Sequence, residues 1–223
     1  MAHVIDIRSP TGSFPKTVVV DANVLYFVHY DFQSLSNAGV CSPSVDQRQP
    51  YPTWFKEAIH HRVNLCAAAT TFGEFVHLVE RTELHCCWET DPQRPELDPD
   101  KPGEPFSPKY VKRLRYHYAH NLATIRGNVD TYVQSARRTV TMLPAVRSAD
   151  PFSATFQRWR TSTADIGDAA LVTEAKWAGV SDVLSDDADF VTFEGIQLYT
   201  ANRAVVAAAS AAGKLTRGSD KRH

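Results

Sequence analysis

Two acidic clusters in this chain stand at spacings that could do chemistry. The stretch 165–190 reads DIGDAALVTEAKWAGVSDVLSDDADF: the clusters are joined by a short amphipathic helix, and the second follows an apolar, strand-like step. Far upstream, Thr17-Val18-Val19-Val20 runs into Asp21, a carboxylate closing another predicted strand. Carboxylates gathered at strand ends hold divalent cations through hard oxygen ligands, as in a metal-dependent phosphoryl-transfer site. Two carboxylates about 4 Å apart repel by roughly 4 kcal/mol at an effective dielectric near 20, so such a cluster persists most easily around a cation. Asp21 also ends an apolar strand, where a lone acid is costly to bury without a partner.

The elements that must position these groups follow from the patterning. A polar arm to Lys16 precedes the strand at 17–20, and 24–28 begins a helix. Residues 31–52, rich in Ser, Asn, Pro and Gln, predict a long loop, after which Pro52 opens a helix with Trp54, Phe55, Ala58 and Ile59 on its apolar side. A second strand at 65–69 leads into a helix from Thr71 to about Glu83. Six prolines between 91 and 108 forbid a regular helix or central strand. From Lys109 to about Leu143 apolar residues recur at alternating spacings of three and four, predicting one amphipathic helix or two broken near Gly127. Pro144 and Pro151 bracket a loop. A helix over 166–178 stops at Gly179, strands follow at 182–185 and 196–199, 203–215 extends a last helix, and a tail from about 216 is expected to be disordered. Alternating strands and helices predict an α/β class with a mainly parallel sheet.

Composition narrows the function classes. The 223 residues suffice for one domain with a large insertion, and a formal net charge of -1 gives no bulk attraction to nucleic acid, leaving local patches to supply it. No apolar run approaches the roughly 20 residues of a membrane span. The segment 1–14 has no signal-peptide core. Cys41, Cys66, Cys86 and Cys87 form no C-x-x-C pair and suit a reducing cytosol, so a cytoplasmic protein is expected.

VVVDANVL, TTFGEFV, DAALVTEA and VLSDDADF, in this order, resemble the four acidic motifs of PIN-domain nucleases, and the resemblance extends to VapC-type toxin ribonucleases. It covers 17–28, 65–83 and 164–200, while an insertion at about 86–161 departs from compact members. The resemblance implies a single Rossmann-like domain with helices on both sheet faces, Mg²⁺ or Mn²⁺ as cofactor, and hydrolysis of RNA phosphodiesters. It also implies an antitoxin protein as partner and a homodimer. By the same resemblance Asp21, Asp168 and Asp187 are metal ligands and Glu74 is the helix-borne second acid, the four together forming the catalytic set. Asn23 is a polar neighbour, Ser185 orients a ligand or water, and Asp189 accompanies the last motif. Asp165, three residues before Asp168 and so on nearly the same helix face, is a further candidate ligand.

Plainer roles exist for each residue. Thr71-x-x-Glu74 fits a capping box. Asp165 and Asp168 suit the first turn of a helix, and Asp186, Asp187 and Asp189 a solvated turn, with Asp186 expected to point outward. For the substrate, 109–138 carries seven Lys and Arg against one acid, whereas 165–194 carries eight acids and one base. Lys109, Lys112, Arg113, Arg115 and Tyr116 therefore form a candidate surface for RNA, by backbone charge and stacking, or else an ordinary solvated helix face. Two further functions stand beside the ribonuclease: a non-catalytic PIN-fold scaffold, and a haloacid-dehalogenase-like phosphatase. The phosphatase fits less well, because Asp21-Ala22-Asn23 lacks the second acid of its Asp-x-Asp motif.

Overall fold

A computed structural model describes residues 1–9, 14–144 and 150–216. Seven strands form one sheet: β1 (His3–Asp6), β2 (Thr17–Val20), β3 (Asn64–Ala67), β4 (Thr141–Met142), β5 (Asp182–Leu184), β6 (Gln197–Thr200) and β7 (Leu215–Thr216). Their order is β4-β3-β2-β5-β6-β1-β7, and every pairing is parallel. The helices are α1 (Ala22–His29), α2 (Phe32–Asn37), α3 (Val45–Arg48), α4 (Pro50–His60), α5 (Ala69–Thr90), α6 (Val111–His117), α7 (Leu122–Arg137), α8 (Pro151–Arg160), α9 (Ile166–Trp177) and α10 (Arg203–Ala211). The expected α/β class with a parallel sheet and helices on both faces is what the chain adopts.

Strand alternation builds the two faces. Val18 and Val20 enter a core with Leu25 of α1, Phe55 of α4, Phe75 of α5 and Val129 of α7. Val19 and Val183 enter the opposite core with Val172 of α9 and Val205 of α10. Because both faces are covered, Val18, Val19 and Val20 of β2 are all apolar and buried rather than alternating. A third cluster lies apart: Leu84 and Trp88, on the far half of α5, pack with Leu97, Tyr110, Leu114, Tyr118 and Ile125. Full burial of one such side chain is worth about 1.5–3 kcal/mol, so the Pro-rich segment is anchored, with the Trp88 indole donating to the Pro95 carbonyl at 2.9 Å.

Several sequence expectations need correction. The N-terminal arm contains β1, which pairs with both β6 and β7. The loop at 31–52 contains α2 and α3, and Ile59 is exposed rather than in the core. Helix α5 runs seven residues beyond Glu83, through Cys86 and Cys87. The break between α6 and α7 falls at 118–121, while Gly127 sits inside α7. Pro151 starts α8 instead of closing a loop: Asp150 caps the helix by accepting from Ser153 N, and proline at the first position forfeits no hydrogen bond. Thr216 belongs to β7, and the rest of the expected disordered tail lies outside the described residues. Among the described residues no helix is long and apolar enough to cross a membrane.

Candidate metal centre

Ligands of open α/β sheets bind beyond the carboxyl ends of the strands, where the strand order reverses direction. Here that point lies between β2 and β5: from β2 the chain builds outward to β3 on one side and later to β5 and β6 on the other. Val20 is in register with Leu184, so Asp21 and Ser185 emerge side by side. An open pocket of ≈ 660 Å³ lies there, lined by Asp21, Glu74, Asp165, Asp168 and Asp187, with Asn23, Thr70 and His77 among its other residues. All four candidate catalytic acids and Asp165 thus come together from β2, α5, α9 and the loop after β5.

Ser185 holds two of these segments in place. Its buried hydroxyl donates to Asp21 Oδ2 at 2.7 Å and accepts from the Asp187 backbone N–H at 2.9 Å. The other Asp21 oxygen, Oδ1, caps α1 by accepting from Ala22 N at 2.6 Å. Asp187 Oδ1 in turn accepts from Asp189 N at 2.8 Å, opening a short 3₁₀ turn. Asp189 therefore supports the turn and does not line the pocket.

On α9, Asp165 is the N-cap: its Oδ1 accepts from Asp168 N at 2.9 Å. The first-turn expectation holds for Asp168, while Asp165 stands one position before the helix as its cap and also lines the pocket. Glu74 is not engaged in a capping box, because α5 begins at Ala69 with Ala68 as its cap, and Thr71 is buried. Instead Glu74 faces α9 across Gly167. A Cβ at Gly167 would lie 2.9 Å from Glu74 Oε1 and 3.1 Å from Asp165 Oδ1. A side chain there would require the Glu74 carboxylate to shift, so Gly167 leaves it room beside α9.

Burial and neighbouring charge raise Asp21, Glu74, Asp168 and Asp189. Asp21 is pushed up to about 7, chiefly by desolvation and further by the Glu74 and Asp187 charges, against the opposing hydrogen bonds from Ser185 and Ala22. Asp168 is pushed up to about 8 by burial and by Asp21, Asp165, Asp187 and Glu74. Burial and Asp165 raise Glu74, and Asp189 is raised by burial, Asp187 and Asp165. Among the described residues lining the pocket there is no lysine or arginine to offset the repulsion. The carboxylates line an open site; among the described residues no group of three or more His, Cys, Asp or Glu side chains is placed to hold a metal ion as it stands.

Asp186 departs from expectation. It is buried, not outward-pointing, and accepts from the Tyr51 hydroxyl at 2.6 Å and from Gln47 Nε2. Its backbone N–H donates to Asn23 Oδ1 at 3.3 Å, and its carbonyl accepts from Asn202 Nδ2 at 2.8 Å. Asn23 and Asn202 thereby pin the loop after β5 from both sides. Sequence reasoning missed Tyr51, Gln47 and Asn202, and it missed His77, one helical turn beyond Glu74 on the pocket side of α5.

The candidate RNA residues lie elsewhere, on the insertion. Lys109 pairs with Glu104 at 2.7 Å, and the Arg113 guanidinium donates to the Leu97 carbonyl at 3.1 Å. Arg115 grips Glu80 with two hydrogen bonds. Lys112 and Tyr116 are exposed. Glu80 is six residues, about 9 Å, along α5 from Glu74.

No protein-family model and no curated protein matches this chain.

Proposed function

We propose that this chain is a divalent-cation-dependent endoribonuclease of the PIN type. The observation that carries the proposal is the pocket at the β2–β5 edge, where five carboxylates from four segments of the chain meet with no lysine or arginine among the lining residues. The donor set fits Mg²⁺ or Mn²⁺, since carboxylate oxygens are the hard ligands those ions take. Asp21, Asp168 and Asp187 would hold the ion, with Glu74 completing the shell or orienting the attacking water. When bound, the cation would lower the pKa of a water and neutralise charge developing on the scissile phosphate.

The chain's own contribution is placement. Ser185 keeps Asp21 Oδ2 and the Asp187 backbone in one frame. Asp165, by capping α9, leaves the Asp168 carboxylate facing the pocket. In-line attack would leave a 5′-phosphate and a 3′-hydroxyl. The phosphatase alternative requires a lysine near the acids, but Lys176 donates to the Glu194 carbonyl at the end of α9 away from Asp168.

The test is incubation of a mixed tRNA and small-RNA pool with purified protein in Mg²⁺, Mn²⁺ or EDTA, beside Asp21→Asn. Metal-dependent cleavage lost in the variant, by about 10²–10³-fold, is the expected result. Full activity in Asp21→Asn would overturn the ligand assignment. Measured cation binding without cleavage of any RNA would favour the phosphatase, and neither binding nor cleavage the scaffold. A basic antitoxin inserting among the acids and a homodimer belong to the same proposal.

A further inference from the structure

Helix α8 carries a feature that the carboxylate site does not use. Thr155 is buried, and the half-buried Arg158 donates from Nε to Thr173 Oγ1 at 3.1 Å, fixing that face of α8 on α9. Away from it, Phe152, Phe156 and Trp159 are exposed at 67, 38 and 41 %. Their rings stack in series: 5.7 Å and 16° between Phe152 and Phe156, then 5.3 Å and 30° between Phe156 and Trp159. Three consecutive aromatic rings stacked in water mark an interaction surface rather than scattered surface apolarity.

Charge indicates what that surface meets. Residues 151–164 contain Arg158 and Arg160 and no acid, and Arg160 is exposed beside Trp159. Arg158 is turned to α9, so the exposed Arg160 supplies the charge on this side; a flat apolar face flanked by a guanidinium suits the bases and phosphates of a single strand, which stack on aromatic rings whatever the sequence. Only residues 161–164 separate α8 from Asp165, so Trp159 and Asp165 stand at most about 20 Å apart along the chain.

We infer that the Phe152-Phe156-Trp159 stripe with Arg160 is a base-stacking platform for single-stranded RNA flanking the scissile bond. The inference rests on the ribonuclease reading for its substrate but not for its test. Binding of a fluorescein-labelled, mixed-sequence single-stranded RNA is measured by anisotropy across a salt series, in the Asp21→Asn background and without metal. Phe156→Ala and Trp159→Ala each weaken binding roughly tenfold, with an unchanged salt slope. Arg160→Ala lowers the slope by about one. Trp159→Phe retains most of the affinity, which separates stacking from bulk. All four side chains are exposed, and melting temperatures are expected to stay at the parental value.

Unchanged affinity in Phe156→Ala/Trp159→Ala would overturn the inference. So would sedimentation showing a parental dimer that the double variant dissolves, since the stripe would then be a protein interface. Cleavage by the otherwise unmodified chain is scored separately. Ring-dependent binding without cleavage sustains the platform and sinks the nuclease, whereas cleavage with ring-independent binding does the reverse.

Discussion

The pocket at the β2–β5 edge and the basic helix of the insertion treat charge in opposite ways. In the insertion, Lys109 and Arg115 each face a carboxylate and Arg113 a carbonyl. In the pocket, five carboxylates face one another. A run of like charge in sequence therefore says little until its partners are known. Lys109, Arg113 and Arg115 spend hydrogen bonds inside the fold, while the pocket's acids keep repulsion that a bound ion would relieve.

Ser185→Ala tests the contrast most severely. It removes the hydroxyl shared by Asp21 and the Asp187 backbone, and is expected to lower metal affinity or cleavage by about 10–100-fold, as loss of a ligand's outer partner does. Cation titration by calorimetry would show it, and wild-type affinity would mean the pair needs no bracket. Tyr51→Phe leaves a buried Asp186 oxygen without its donor. That is expected to cost about 1–3 kcal/mol in denaturant unfolding, with a smaller effect on cleavage.

The pH dependence separates repulsion from pairing. Asp168 rises from an ordinary 3.8 to about 8, so the folded state binds a proton the unfolded state has lost. Its contribution to stability is complete below about pH 4 and disappears as pH climbs toward about 8. Metal-free protein is expected to lose melting temperature across that window, Asp168→Asn to lose less, and Mg²⁺ to restore stability at the alkaline end. A flat wild-type profile would refute the repulsion. The smallest effect on cleavage is expected for Arg115→Ala. Glu80 is buried, so the variant leaves a buried carboxylate without its partner and is expected to lose about 1–3 kcal/mol of stability, with cleavage and its salt dependence unchanged. A lowered salt slope for RNA binding would instead restore the insertion as the nucleic-acid surface.

Much of this arrangement was legible in the sequence because the signals were local. The apolar runs of β2, β3 and β5 and the acids after them announced strands and strand-end carboxylates. β1, β4 and β7 were not legible: they are two to four residues long, and what makes them strands is pairing to residues far along the chain. Asp186 failed for the same reason, as Gln47 and Tyr51 are 139 and 135 residues away. The pairing of Arg115 with Glu80, 35 residues apart, was equally hidden. Helix α8 was lost to a local rule misapplied, since a proline that ends one helix can begin the next.

Helix α5 is one uninterrupted rod of 22 residues. Glu74 stands near one end and Trp88, fourteen residues or about 21 Å further, is packed into the third cluster at the other. In mechanical terms it is a lever. A tilt of about 5° pivoting at Glu74 would carry Trp88 through about 2 Å, given that rise per residue. Well-packed side chains do not absorb such a step by gradual deformation. The carboxylate and the Pro-rich segment therefore ride on one rigid body, and a load placed on the segment is felt at the acid.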